Sequence, residues 1–209
     1  MKKIVILISG RGSNMQAIVQ ASQSQQWPAQ IAAVISNKPD AAGLAYATSQ
    51  GIPTKVVESK AFPNRESFDT ALQQVIDSFE ADLVVLAGFM RILTPKFVQH
   101  YENRIMNIHP SLLPSFVGLH THQQALDAGV KFHGATVHFV TAELDHGPII
   151  DQACVRIEAG DNEDALAHKL LVKEHQIYPR AVRLFVEGKL VVEGNRVIVN
   201  GSDADTCAI

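Results

Sequence analysis

Nine histidines occur in the chain, and seven of them fall between His100 and His146. Chemistry is expected in that stretch. In Asn107-Ile108-His109-Pro110 a strand runs into a proline, which pushes the preceding residue toward an extended conformation. Residues i and i+2 of an extended chain share one side, about 6–7 Å apart. An amide at Asn107 and an imidazole at His109 would then face the same crevice, an arrangement suited to polarising one small electrophile. The plainer alternative is a histidine that satisfies a loop carbonyl. Asp145 lies in the loop Glu143-Leu144-Asp145-His146-Gly147-Pro148, after a strand carrying His138. A carboxylate near His109 would stabilise its imidazolium and make it a usable acid near neutral pH. An Asp this close to Gly and Pro also reads as a turn former.

A second constellation is Gly10-Arg11-Gly12-Ser13-Asn14, between a strand and a helix. Glycines there let backbone N–H groups approach an anion, and a helix N-terminus favours negative charge. A phosphate-bearing ligand is one reading; a tight turn with Ser13 as helix cap is the other. The dinucleotide fingerprint would need glycine where Met15 stands and an acid where the second strand ends in Ser36 and Asn37, so a nicotinamide cofactor is disfavoured.

Three further readings stay open on the residues alone. His109, His120, His122 and His138 with Asp145 would suit a metal-bound water and hydrolysis. Ser111 lacks the glycine pattern of a nucleophile elbow, which weakens a serine hydrolase. Phe89, Met90, Ile92 and Leu93, with Arg91 among them, could wall a flat aromatic ligand at a strand end or simply pack the core.

These residues need elements to hold them. Residues 4–8, 31–35 and 83–87 are continuously apolar, the pattern of strands covered on both faces. Residues 54–57, 104–108, 136–140 and 149–157 complete the strand series, the 136–140 stretch by alternation. Helices are expected after the glycine loop, over 42–50 closed by Gly51, around Phe68, Leu72, Val75, Ile76 and Phe79, at Thr94-Pro95, and over 123–128. A long helix opens at Asp161 and carries Pro179, expected to kink it. Residues 190–192 and 196–199 form a terminal hairpin through Gly194-Asn195, and the last residues look frayed. The fold expected is α/β: a Rossmann-like, mostly parallel sheet with helices on both faces. One domain over 1–188 is expected, with the hairpin and tail of 189–209 belonging to it.

Composition narrows the function. The 209 residues are 46% hydrophobic and 19% charged, enough for a sizeable core and against wholesale disorder. Eighteen Lys plus Arg oppose twenty-one Asp plus Glu, for a formal charge of -3, with no basic run to track a phosphate backbone. Nucleic acid is not expected as a partner. The longest apolar runs are far short of a bilayer span, so no membrane segment is expected. Cys154 and Cys207 cannot build a disulfide framework or a four-cysteine metal site, which fits a reducing cytoplasm.

Four segments in this order, 6–14, 86–93, 107–114 and 143–148, resemble the phosphoribosylglycinamide formyltransferase family of purine biosynthesis, over about residues 3–187. The resemblance implies transfer of a formyl group from 10-formyltetrahydrofolate to the amine of glycinamide ribonucleotide, giving tetrahydrofolate, with no metal. It implies that Asn107 and His109 hold the formyl oxygen while Asp145 supports the histidine. Gly12, Ser13 and Asn14 would bind the ribonucleotide phosphate, and Glu174 its ribose or glycinamide end. Arg65, Met90, Arg91, Ile92, Leu93, Asn107, Thr141, Ala142, Glu143, Leu144 and Asp145 would hold the folate, with Gly118, His120 and His138 near the site. A cytoplasmic monomer or weak homodimer is expected. Val117 and Leu171 depart from the family pattern, which bears on secondary substrate contacts. With only some twenty residues after Gly188 and no basic cluster among them, the tRNA-binding domain of methionyl-tRNA formyltransferases is not expected, nor is a regulatory domain of the formyltetrahydrofolate hydrolases ahead of the first strand. A sensing module that binds folate or nucleotide without turnover is the non-enzymatic alternative.

Overall fold

Lys2–Ile8 forms strand β1, and its residues Ile4 to Ile8 are wholly buried. A continuous apolar run is what a strand with both faces covered requires. The structure is a computed structural model that describes residues 1–201. Cys207 and the expected frayed end lie outside the described residues.

The chain divides into two compact units, Met1–Asn107 and a second beginning at Ile108. In the first, β1 is followed by β2 (Ala29–Ser36), β3 (Thr54–Val56), β4 (Leu83–Leu86) and β5 (Ile105–His109), whose last two residues enter the second unit. These strands are parallel in the order β3-β2-β1-β4-β5. The connections carry α1 (Ser13–Ser24), α2 (Ala42–Ser49), α3 (Arg65–Asp77) and α4 (Pro95–His100), with a 3-10 turn at Ser59–Ala61 before α3. The order grows outward from β1 through β2 to β3, then restarts on the other side of β1 with β4. That reversal opens a crevice beyond the carboxyl ends of β1 and β4, where sheets of this kind bind ligands.

The second unit holds α5 (Thr121–Asp127), β6 (Phe132–Phe139), β7 (Ile149–Arg156), α6 (Glu163–Val186), β8 (Leu190–Glu193) and β9 (Arg196–Val199). β6 and β7 are antiparallel, β9 runs parallel to β7 at Ile149 and Arg196, and β8–β9 is the terminal hairpin. Leu166, Leu170, Ile177, Ala181 and Leu184 on α6 are buried at helical spacing, as are Val137 and Phe139 on β6.

Local differences from the sequence reading have physical causes. Alternation over 136–140 suggested a half-exposed strand, yet β6 is buried from His133 to Phe139. Its polar residues are accommodated: Thr136 Oγ1 donates to the Ser111 carbonyl, and His138 Nδ1 bonds the Phe139 carbonyl. Asn162, not Asp161, caps α6 by accepting from Ala165 N–H, which frees Asp161 to pair with Lys169 at 2.7 Å. α6 continues through the buried Pro179 to Val186.

Candidate active site

β5 ends at His109, 5% exposed, and its imidazole Nδ1 stands 3.5 Å from Asp145 Oδ2. On the other side of the ring Nε2 lies 3.0 Å from the Phe116 carbonyl. A carbonyl only accepts, so Nε2 carries the hydrogen in that bond. Asp145 Oδ2 also accepts from Gly118 N–H at 3.2 Å. Both side chains of the His109–Asp145 pair are 7% exposed, so the interaction between them is poorly screened by solvent. Asn107 sits two residues earlier on the same strand.

The loops that carry these groups are tied down within the second unit. Thr136 Oγ1 donates to the Ser111 carbonyl at 2.7 Å and accepts from Leu113 N–H at 3.0 Å. Gln152 Nε2 donates to Thr136 Oγ1 at 2.9 Å and to the Leu113 carbonyl at 3.1 Å. Thr121 Oγ1 donates to the Pro110 carbonyl. The chain leaving His109 is thus pinned at Pro110, Ser111 and Leu113. The β6–β7 register shifts between Val137 and His138, a bulge of the kind that re-aims side chains near sites. His138 is 2% exposed, and burial before all else disfavours its charged form. Gly147 precedes β7, and a Cβ there would overlap the Phe139 carbonyl. Asp145 itself adopts φ 55.

In the first unit the glycine loop opens onto α1. Gly12 is the N-cap residue at φ 67, and no side chain caps the helix. Ser13 is therefore the first helical residue and not the cap. Gly43, in α2, donates its N–H to the Gly10 carbonyl at 3.1 Å. A Cβ on Gly43 would meet Ile8 Cδ1 at 2.7 Å and the carbonyls of Arg11 and Gly10 at 3.1 and 3.2 Å. Met90 and Ile92 are exposed by 65% and 55%, whereas Leu93 is buried and the Arg91 guanidinium lies 5.1 Å over the Phe68 ring. Arg65 is exposed at the start of α3.

Among the remaining site candidates, Thr141, Ala142, Glu143 and Leu144 are exposed, and Thr141 Oγ1 donates to the Glu143 carbonyl. His120 is exposed at the head of α5. Glu174 is buried on α6. Val117 is exposed and Leu171 half-buried. His122 Nδ1 meets His133 Nε2 at 3.1 Å. Among the described residues no three His, Cys, Asp or Glu side chains are grouped to hold a metal ion. No helix among them is long and apolar enough to cross a membrane.

Sequence reasoning named His109 and Asp145, and the structure brings them together with Gly118 and His138 nearby. It missed the Phe116 carbonyl, Gln152, Gly43 and Gly147. A main-chain acceptor leaves no sequence signal, and Gln152 is one polar residue on an otherwise ordinary strand. Gly147 was legible only as turn punctuation.

Residues 2–182 match the model of the family described as formyl transferase. A phosphoribosylglycinamide formyltransferase of Escherichia coli K12 is 50% identical over 198 residues, 95% of this chain and 93% of that protein. Among solved structures, glycinamide ribonucleotide transformylase 1 of Symbiobacterium toebii superposes with a TM-score of 0.93 at 47% identity, covering 96% of this chain and 95% of that one. A formyltetrahydrofolate deformylase of Pseudomonas syringae pv. tomato superposes at 0.89 with 32% identity, covering 96% of this chain and 66% of that one.

Proposed function

The chain belongs to the formyl transferase family, and from that premise we infer that it transfers the formyl group of 10-formyltetrahydrofolate to the amine of phosphoribosylglycinamide. The products are N-formylglycinamide ribonucleotide and tetrahydrofolate, a step of de novo purine biosynthesis. The observation that carries this reading is the buried His109–Asp145 pair at the end of β5, two residues beyond Asn107.

The reaction joins the acceptor nitrogen to the formyl carbon and breaks the bond from that carbon to the folate nitrogen. Negative charge gathers on the formyl oxygen as the tetrahedral centre forms. The Asn107 amide and the His109 N–H groups are donors for that oxygen, and a preorganised donor lowers the barrier because it needs no reorientation as the charge develops. Asp145 faces Nδ1, holds the ring's orientation and balances positive charge on it. The proton lost by the acceptor amine goes to the departing folate nitrogen by way of His109, Asp145 or a water. The tetrahedral centre then collapses and the carbonyl reforms.

Gly12, Ser13 and Asn14 take the phosphate at the N-terminus of α1, which favours negative charge, and Glu174 takes the ribose or glycinamide end. Arg65, Met90, Arg91, Ile92, Leu93, Asn107, Thr141, Ala142, Glu143, Leu144 and Asp145 serve the folate. The exposure of Met90 and Ile92 leaves apolar surface for a flat ring. The reaction runs without a metal, in the cytoplasm, on a monomer or weak homodimer, with Gly118, His120 and His138 around the reacting centre.

A folate-absorbance assay with 10-formyl-5,8-dideazafolate and glycinamide ribonucleotide tests the reading. Acceptor-dependent deformylation should survive chelator and collapse in His109→Ala. Deformylation without acceptor would instead align the chain with the deformylase it resembles. Binding without any product would mark a sensing module.

A further inference from the structure

The residue between β1 and the glycine loop is Ser9, and none of the roles assigned above uses it. It is buried, 6% exposed, and makes three hydrogen bonds within the first unit. Its main-chain N–H donates to the Gly88 carbonyl at 3.1 Å. Its hydroxyl donates to Asn37 Oδ1 at 2.6 Å and accepts from Met90 N–H at 2.8 Å. Asn37, 4% exposed, follows the end of β2. Gly88 at φ 73 turns the chain sharply after β4, a conformation open to glycine at little cost, and so aims the Met90 amide back at Ser9.

One hydroxyl therefore joins the exits of three parallel strands at the crevice where the strand order reverses. On its carboxyl side begins Gly10-Arg11-Gly12; on the far side of its hydrogen bond begins Met90-Arg91-Ile92-Leu93. The two segments are more than seventy residues apart in sequence. Ser9 uses its hydrogen as a donor and a lone pair as an acceptor, so one hydroxyl serves both limbs at once.

We propose that Ser9 is a positioning residue that couples the phosphate-binding glycine loop to the folate-binding strand end, so that each is held in register only while the other is. This rests on the substrate assignment above. Ser9 touches neither reactant; it sets the spacing of the two segments that do.

The test is titration calorimetry on the full chain, with glycinamide ribonucleotide and 10-formyl-5,8-dideazafolate as separate probes, alongside melting curves. Ser9→Ala should weaken both affinities about three- to tenfold, the scale of one buried hydrogen bond, at temperatures where the variant is fully folded. Asn37→Ala, which removes only the β2 limb and stands in if Ser9→Ala does not fold, should weaken the folate analogue as well as the ribonucleotide. Loss of melting temperature with both affinities unchanged would overturn the proposal, as would loss for one probe alone. Wild-type protein that binds both probes without acceptor-dependent transfer would overturn the proposed reaction and leave the coupling test intact. Wild-type protein that binds neither would overturn both.

Discussion

His109 Nε2 donates to the carbonyl of Phe116 at 3.0 Å, while its Nδ1 faces Asp145 at 3.5 Å, so both ring nitrogens already have partners. A substrate oxygen must displace the Phe116 carbonyl to receive that hydrogen. Phe116 itself is held at φ 54, a conformation that costs a non-glycine residue about 1 kcal/mol or more. The contact that occupies His109 is thus made by a residue in a strained backbone conformation.

His109→Ala and Asn107→Ala should each lower kcat by about 10² to 10³, the usual cost of removing one donor from a developing oxyanion. The KM for either substrate should move little. Full turnover in Asn107→Ala would remove that residue from the oxygen-binding role.

Asp145→Asn separates charge from shape. Asparagine keeps an oxygen for the Gly118 N–H and tolerates the left-handed backbone at φ 55, so the melting temperature should stay within a few degrees. The charge facing Nδ1 is lost, and kcat should fall by about 10² to 10⁴, the range for proton-transfer partners. A comparable loss of stability and turnover would mean that Asp145 acts mainly through the fold.

Gly43→Ala tests the floor of the glycine loop. Alanine in place of glycine inside a helix ordinarily gains about 1 kcal/mol. Here the new Cβ would press on Ile8 Cδ1 at 2.7 Å and on the carbonyls of Arg11 and Gly10 at 3.1 and 3.2 Å. The Ile8 tip can rotate away; the carbonyls can move only with the loop. The KM for the ribonucleotide should rise severalfold with kcat nearly unchanged, and steady-state kinetics read the split directly.

Acid should destabilise the second unit through His133. Burial, then the neighbouring His122, pushes the His133 pKa down from 6.5 to about 4. A histidine lowered in this way favours folding fully above about pH 6.5, and that contribution is lost as pH falls toward 4. The shift corresponds to about 3 kcal/mol at 1.36 kcal/mol per pH unit. Melting curves from pH 7.5 to 4 should show this drop, and His133→Asn should flatten it. An unchanged profile in the variant would assign the acid sensitivity elsewhere.

Strand positions and the order of elements were legible because parallel strands leave a strong signal: residues 4–8, 31–35 and 83–87 are unbroken apolar runs in a chain otherwise punctuated by turns. The His109 and Asp145 pairing was legible only as a coincidence of types. Nothing in the 35 intervening residues announces that Asp145 returns to His109, since that depends on the β6–β7 hairpin length and the register shift at His138. Helix caps were read within a residue or so. Asp161 and Asn162 are both good caps, and the choice fell to Asn162 because Asp161 has Lys169 to bind. The Ser9 clamp was invisible for a similar reason: its partners Asn37 and Met90 lie on other strands' exits, and only the parallel stacking brings them within reach.

The left-handed backbone at Phe116, His120 and Asp145 has a consequence for laboratory evolution. Glycine at any of these positions would relieve a conformational penalty, so selection for thermal tolerance alone favours such replacements. At 145 that replacement deletes the carboxylate that faces His109; at 120 it deletes the histidine at the head of α5. A heat-challenge library scored only by recovered fold would therefore drift toward hardier, silent variants. Thermal and catalytic selection have to be applied to this chain together.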